Sequence, residues 1–179
     1  HVPMAKMEAV YDALMTAGAD HDLKPCGMLA LDSMRLEKGY RSWKSDLTSD
    51  YTMLESGLGR WVKTDKDDFI GRTALMAEEQ RGASRRFVAM VLDDPAENDA
   101  FGEAIYLSSI RVQGADVGLI VSAGYGHRVG KSIAYGIVDE AAFANGNPQL
   151  EVEVLGRMRQ AHIIDDGVLY DADNARVKA

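Results

Sequence analysis

The sequence of 179 residues has one cysteine, four prolines and an aromatic content of only 7%. A single cysteine excludes an intramolecular disulfide and leaves too few thiolates for a cysteine-ligated metal site. We expect Cys26 to be a small buried hydrophobic residue rather than a nucleophile. This sparing use of cysteine fits a reducing cytoplasm or a mitochondrial matrix.

Long apolar runs and an excess of positive charge are also lacking. No run approaches the roughly 20 apolar residues that span a bilayer. Acidic residues outnumber basic ones by 28 to 20, which gives a net charge of −8. Nucleic acids and anionic lipids bind clustered Lys and Arg, so this balance argues against a nucleic-acid or membrane partner. The histidines lack the close spacing of a metal site; they are His1, His21, His127 and His162.

The sequence does contain enough apolar residues, 46%, to build a buried core. The first 82 residues predict helices, loops and one short strand, with the helices at 4–17, 28–38 and 73–81 and the strand at 61–62. Short strands separated by glycine-rich turns follow, at 86–92, 105–107, 110–112, 117–121, 132–138, 150–154 and 159–164. We therefore predict an α+β fold with a boundary near residues 82–86, in which the strands form an antiparallel barrel or sandwich.

Residues 124–132 have the glycine and lysine content of a phosphate-binding loop. Such a loop needs a glycine five positions before the Gly-Lys-Ser run, and Tyr125 stands there instead. The residues after Ser132 read as a strand, whereas a phosphate loop opens a helix. We expect a hairpin with a flexible tip at this point and no nucleotide site.

Glu37 is the candidate binding residue that remains. It follows an apolar helix and lies at the helix C-terminus, the end where negative charge is unfavourable. Taken alone, it is more commonly a surface carboxylate that pairs with Lys38 or Arg41. The alternative is a ligand contact, because a carboxylate accepts paired N–H groups and Tyr40 and Trp43 could pack on a flat ring.

Several segments resemble one family in the same order. LDSMRLEKGYRSW at 31–43 is similar to the helix-and-loop signature of the glycine cleavage T-protein, or aminomethyltransferase, family. MLESGLG at 53–59, KDDFIGR at 66–72 and the glycine-rich stretch 118–136 resemble the segments that follow it. The run EKGYRSW is similar to the folate domain of dimethylglycine and sarcosine dehydrogenases. The resemblance implies the C-terminal part of such a protein, with the end of a folate-binding domain at 1–82 and a C-terminal antiparallel β-barrel domain at 83–179.

The resemblance also implies site residues. The family's Glu in the Arg-Leu-Glu run binds the pterin ring, and that role carries over to Glu37. An aromatic residue lines the same pocket, which places Trp43 and its neighbour Tyr40 there, while Arg60 and Arg176 are expected as further folate contacts. The residue after that aromatic is usually Gly, whereas here it is Lys44.

The family's catalytic Asp lies in an N-terminal portion that this sequence does not resemble. We therefore expect the catalytic residue outside this chain, and the chain alone to be inactive. Positioning and electrostatic assistance would then come mainly from residues that lie elsewhere.

The function implied is that of a tetrahydrofolate-dependent one-carbon transferase. A flavin half, with FAD in a separate domain, would oxidise an N-methyl amine, and the folate half would capture the one-carbon unit as 5,10-methylenetetrahydrofolate. Folate and the rest of the parent protein would be the partners. Two alternatives stay open: a folate-binding scaffold or regulatory module without transferase activity, and a demethylase of a sulfonium such as dimethylsulfoniopropionate.

Overall fold

The computed structural model describes residues 1–94, 102–165 and 167–176. The chain divides into two compact units, His1–Leu31 and Asp32–Ala179. Helix α2, Met28–Glu37, passes from one unit into the next. No helix within the described ranges combines the length and apolar content that crossing a membrane requires.

The first unit is helical. A single 3-10 turn at Met4–Lys6 leads into α1, Met7–Gly18, and a second one follows at Ala19–His21. No residue of His1–Leu31 is buried, and apolar side chains of α1 such as Tyr11 are exposed. The prediction that Cys26 is buried is wrong, because this unit has no core into which the thiol could pack; Cys26 is exposed.

The second unit begins with the last six residues of α2, Met28–Glu37. Gly39, with φ +78°, lets the backbone turn back after the helix, and the N–H of Tyr40 closes this turn on the carbonyl of Arg35 at 2.9 Å. Loops follow as far as α3, Arg72–Arg81. The strand predicted at 61–62 is wrong: this segment forms a 3-10 turn at Gly59–Trp61, closed by backbone hydrogen bonds between residues three apart.

Six antiparallel strands form a closed barrel with the neighbour order β1-β4-β3-β2-β5-β6. Pairing of β6 with β1 completes the ring. The strands are β1 Arg85–Leu92, β2 Ser109–Val112, β3 Ala115–Gly126, β4 Lys131–Asp139, β5 Leu150–Val154 and β6 Arg157–Ile163. The predicted α+β class with an antiparallel barrel is thus confirmed.

One predicted strand is absent. Residues 105–107 form a turn in which the N–H of Ser108 donates to the carbonyl of Ile105 at 2.9 Å. Leu107 has φ +69°, a left-handed conformation that lies outside the β region of a regular strand. The composition of residues 105–107 resembles that of a strand, because it includes a β-branched and an aromatic residue. The Ser108 hydroxyl, however, accepts a hydrogen bond from the N–H of Ile105 and stabilises the turn.

Alternate residues of the strands pack in two apolar clusters. One set, including Met90, Ile110 and Ile120, forms the larger cluster, to which all six strands contribute. Their neighbours on β1, β3 and β4, including Ile133 and Tyr135, form a second cluster with Leu36 of α2. Side chains of a strand alternate between its two faces. The larger cluster therefore fills the barrel, and the cluster that contains Leu36 lies outside the barrel under α2. The end of α2 is therefore fixed against the barrel wall.

Candidate functional site

Glu37, the last residue of α2, is buried against the tip of the β3–β4 hairpin. Its side chain is only 3% exposed. Oε1 accepts hydrogen bonds from the backbone N–H groups of Arg128 at 2.6 Å and Val129 at 3.3 Å. The commoner interpretation of this residue, a surface carboxylate paired with Lys38 or Arg41, is therefore wrong.

The hairpin tip that holds Glu37 is the segment with phosphate-loop composition. Strands β3 and β4 pair up to Gly126 and Lys131, and the N–H of Gly130 closes the turn on the carbonyl of Gly126 at 2.7 Å. The predicted hairpin is confirmed. A side chain at Gly126 would lie 3.0 Å from Cγ of Glu37 and 2.8 Å from Cδ1 of Ile133, so glycine is needed for this close approach.

The two carboxylate oxygens of Glu37 differ in their partners. Oε2 accepts no hydrogen bond from any residue in the described ranges. A carboxylate offers about four acceptor positions, so two amides on one oxygen leave the other able to accept donors. The amides fix the carboxylate in one orientation, and this pre-organises Oε2 as an acceptor.

The segment after β6 packs along the same helix end. The N–H groups of Leu169 and Tyr170 donate to the Glu37 carbonyl at 2.9 and 3.0 Å. Nη1 of Arg176 donates to the Tyr170 hydroxyl at 2.9 Å, and the Arg128 guanidinium lies 5.1 Å from the centroid of the Tyr170 ring. Arg176 is thus connected to Glu37 through Tyr170 and does not touch the carboxylate itself.

A cavity of about 290 Å³ lies beside the turn that follows α2. Tyr40 and Arg60 both line it, so the structure brings these two predicted residues together. Tyr40 is 58% exposed and presents a ring to solvent. The remaining lining residues are Lys38, Gly39, Arg41, Gly57, Phe87, Asp165, Gly167 and Val168.

Arg41 is a lining residue that the sequence did not single out. Its guanidinium carbon lies 4.1 Å from the centroid of the Phe87 ring, and its buried Nε has no hydrogen-bond partner. Burial lowers the pKa of Arg41, because desolvation disfavours the charged form, and the positive charge of Arg60 acts in the same direction. The only signal in the sequence is a cation directly after the Glu-Lys-Gly-Tyr run.

Comparison with known proteins identifies the family. The family model described as "GCVT N-terminal domain" matches residues 1–66. The model described as "Glycine cleavage T-protein C-terminal barrel domain" matches residues 85–171. The chain belongs to the glycine cleavage T-protein family. The match to the barrel domain agrees with the six strands described above, and the match to the N-terminal domain covers Glu37, Tyr40, Trp43 and Arg60.

Relatives in this family include enzymes of two kinds. Mouse mitochondrial sarcosine dehydrogenase is 36% identical to this chain; the match covers 99% of this chain and 19% of the dehydrogenase. Human mitochondrial dimethylglycine dehydrogenase is also 36% identical, over 88% of this chain and 18% of its own length. An aminomethyltransferase of Caldanaerobacter subterraneus subsp. tengcongensis is 29% identical over 92% of this chain and 42% of its own length. This T-protein family chain therefore spans about a fifth of the length of the dehydrogenases that it matches.

A solved structure shares the fold. The aminomethyltransferase T of the glycine cleavage system from Bartonella henselae superposes with a TM-score of 0.77 at 23% identity, covering 94% of this chain and 45% of that one. At this identity the match supports the architecture of helices and barrel, and it carries no information on ligands.

The five predicted contacts of this T-protein family chain fall in three places. Glu37 and Arg176 are joined through Tyr170, Tyr40 and Arg60 share the cavity, and Trp43 lines neither. Trp43 is 76% exposed. The described ranges contain no group of three or more His, Cys, Asp or Glu residues suited to a metal ion.

A buried ion pair holds the helix end that carries Glu37. Nη1 of Arg35 lies 2.6 Å from Oδ2 of Asp46, whose side chain is fully buried. Asp46 also accepts hydrogen bonds from the Ser42 N–H at 2.7 Å and from Oγ of Ser122, on β3, at 2.5 Å. These contacts attach the loop after α2 to the barrel and so position Glu37 and the cavity.

Proposed function

We propose that this chain supplies one wall of a tetrahydrofolate site in a one-carbon transferase of the dimethylglycine and sarcosine demethylating type. The observation that carries the proposal is the Glu37 carboxylate, which two backbone amides hold in place while Oε2 remains free to accept hydrogen bonds. Family membership makes a folate-dependent aminomethyl transfer the expected chemistry.

The acceptor chemistry of Glu37 suits a pterin ring. A pterin carries an amino group and a ring N–H side by side, and a carboxylate is the acceptor that such a pair prefers. Glu37 is nearly inaccessible to water, which strengthens a charge-assisted hydrogen bond. Tyr40 offers an exposed ring nearby, and Arg60 and Arg176 add positive charge for an acidic ligand.

In this proposal the residues of the chain bind and orient. Tetrahydrofolate would supply the nitrogen atoms that take up the one-carbon unit. Glu37 would set the orientation of the ring, and the amides of Arg128 and Val129 would keep the carboxylate from turning away. We assign no acid or base to this chain, and we assign FAD to other parts of the parent protein.

Substitution of Glu37 by glutamine tests the proposal. The amide side chain keeps the shape and one oxygen but loses the charge, so we expect tetrahydrofolate to bind about 10- to 100-fold more weakly, which corresponds to about 1.5–3 kcal/mol for a hydrogen bond to a charged group. The measurement is titration calorimetry on the full-length protein, with circular dichroism to verify folding. Unchanged affinity in a folded Glu37→Gln variant would sink the proposal.

Glu103 provides a matched control. Its Oε1 also accepts a backbone N–H from the same hairpin, that of Tyr125 at 2.9 Å, but the residue is exposed. We expect the Glu103→Gln variant to bind tetrahydrofolate with wild-type affinity. Equal losses in both variants would point to a general effect on the hairpin instead of a contact with the ligand.

The methyl donor in this proposal is an N-methylated glycine, because relatives bear the names sarcosine dehydrogenase and dimethylglycine dehydrogenase. Mass spectrometry of the folate product, with isotope-labelled sarcosine, dimethylglycine or dimethylsulfoniopropionate as donor, decides between amine and sulfonium. Labelling from the sulfonium alone would overturn this part.

We place the protein in the cytoplasm or, in a eukaryote, in the mitochondrial matrix.

A further inference from the structure

Two arginines face the cavity beside α2 without an acidic partner. Within the described ranges, neither Arg41 nor Arg60 makes an ion pair or a hydrogen bond; Arg41 stacks on Phe87 and Arg60 lies 5.3 Å from the Trp61 ring centroid. Guanidinium groups have five N–H donors, and buried ones are normally paired. The buried Nε of Arg41 is an exception that needs an explanation.

The neighbouring cations are paired. Lys38, which lines the same cavity, lies 3.2 Å from Oδ2 of Asp171. Arg86 lines an adjoining cavity of about 220 Å³ and donates from Nε to Oε2 of Glu140 at 2.6 Å. The lack of a partner is therefore specific to Arg41 and Arg60 among the cations that line these two cavities.

The surroundings of Arg41 favour an external anion. Arg41, Phe87, Asp165 and Gly167 line both cavities, so Arg41 is one of the residues that separate them. Asp165 is an exposed carboxylate and forms no ion pair with Arg41. Since Lys38 is paired with Asp171, the lining of the cavity of about 290 Å³ has two unpaired cations, Arg41 and Arg60, against this one carboxylate. The lining therefore favours an anion although the whole chain carries a net charge of −8.

We propose that Arg41 binds a carboxylate group of the ligand in this cavity, and that Arg60 raises the positive potential there. The planar fork of a guanidinium matches a carboxylate with two parallel hydrogen bonds, and the contact with the Phe87 ring holds the guanidinium in place. Arg41 thereby selects for a carboxylated ligand. The inference rests on the proposed function for its ligand: the carboxylate is one of the two on the glutamate of folate.

The experiment compares ligands with and without the carboxylate. Full-length wild type, Arg41→Gln and Arg41→Lys are titrated with tetrahydrofolate and with its bisamide, in which both glutamate carboxylates are carboxamides. We expect Arg41→Gln to lower the affinity for tetrahydrofolate at least tenfold, Arg41→Lys to lower it less, and neither to change the affinity for the bisamide by more than about twofold.

Further variants separate this inference from folding effects and from the proposed function. Arg60→Gln, at an exposed residue, is expected to weaken tetrahydrofolate about threefold, and Arg86→Gln is the matched control with wild-type affinity. Glu37→Gln should weaken tetrahydrofolate and the bisamide equally. If Arg41→Gln leaves tetrahydrofolate binding unchanged, or if it weakens tetrahydrofolate and the bisamide equally, the inference is overturned. Wild type that binds neither folate ligand would instead refute the proposed function.

Discussion

The barrel and the segment that leads into it bury different kinds of side chain. The barrel strands bury apolar residues almost throughout, with Ser132 and Arg159 as the polar ones. Five of the six buried residues in Asp32–Gly82 are polar or charged, the set being Leu36, Glu37, Asp46, Glu55, Ser56 and Glu78. Both regions belong to the same compact unit. One is held by hydrophobic burial and the other by hydrogen bonds and ion pairs.

This difference explains how the candidate site is positioned. Apolar burial is non-directional, so it does not by itself fix the orientation of a polar group. Hydrogen-bonded charges fix both distance and direction, and those of the segment reach the barrel at Ser122 for Asp46 and at Arg85 for Glu55. The hydrophobic barrel therefore supplies stability, while the charged segment places Glu37 and Arg41.

The most severe test of this comparison is Asp46→Ala. Arg35 would lose its buried partner, and Ser42 and Ser122 would each lose an acceptor, so we expect a loss of about 4 kcal/mol in the free energy of unfolding. Urea denaturation followed by circular dichroism measures it. The exposed pair of Arg86 and Glu140 is the control, where Glu140→Ala should cost at most about 1 kcal/mol. Similar losses in the two variants would show that burial of the pair is unimportant.

A truncation in the barrel gives the matching value for the apolar region. Ile120 is fully buried, and Ile120→Ala should cost about 3 kcal/mol through lost burial and the cavity that remains. Leu119, the preceding residue on β3, is 41% exposed, and Leu119→Ala should cost much less. The same urea titrations measure both. If Ile120→Ala destabilises more than Asp46→Ala, the charged segment contributes less to stability than its buried contacts indicate.

Tyr135 joins the two regions and makes the contact sensitive to pH. Its hydroxyl donates to the Leu36 carbonyl at 2.7 Å, and burial raises the pKa of Tyr135 to about 12 from a usual 10.0. The folded state thus favours the neutral phenol. Its contribution to stability is complete below about pH 10 and is lost as the pH rises towards about 12.

The measurement compares wild type with Tyr135→Phe at about pH 9 and about pH 11.5, using urea denaturation. With these pKa values, wild type should lose about 2 kcal/mol more than the variant over this interval. Other tyrosines and lysines titrate in both proteins and cancel in the difference. Parallel pH dependences would show that the Tyr135 hydroxyl does not experience the buried environment that we describe.

The two regions also differ in how far the sequence predicts them. The barrel strands either alternate apolar and polar residues or are apolar throughout, and glycine-rich turns separate them. Six of the seven strands predicted beyond Gly82 are confirmed. The three predicted helices are present, and α2 ends one residue before its predicted limit. Local patterns suffice here because they reflect the neighbours along the chain.

The contacts of the charged segment could not be predicted in this way. Glu37 meets Arg128 across 91 positions, and Ser122 lies 76 positions from Asp46. No local pattern encodes such pairs, so a carboxylate at a helix end resembled a surface residue. The lack of a partner at Arg41 depends equally on residues distant in sequence, including Phe87. The resemblance to the T-protein family pointed to Glu37, because a family motif includes the residues of a binding site. Hydrophobic periodicity does not reveal such residues.

The smallest expected effect concerns Lys44, in the loop that carries Asp46. Lys44 has φ +75°, and its N–H donates to the carbonyl of Leu47 at 3.0 Å. A left-handed conformation costs a residue with a Cβ about 1–2 kcal/mol, while glycine costs about 0.5–1 kcal/mol in chain entropy. Lys44→Gly should therefore stabilise the protein by up to about 1 kcal/mol. Lys44→Ala removes the long side chain but keeps the Cβ, so it should give no such gain. The two midpoints in urea, compared with wild type, test this: a glycine variant less stable than the alanine variant would mean that contacts of the charged loop, and not its backbone conformation, limit its stability.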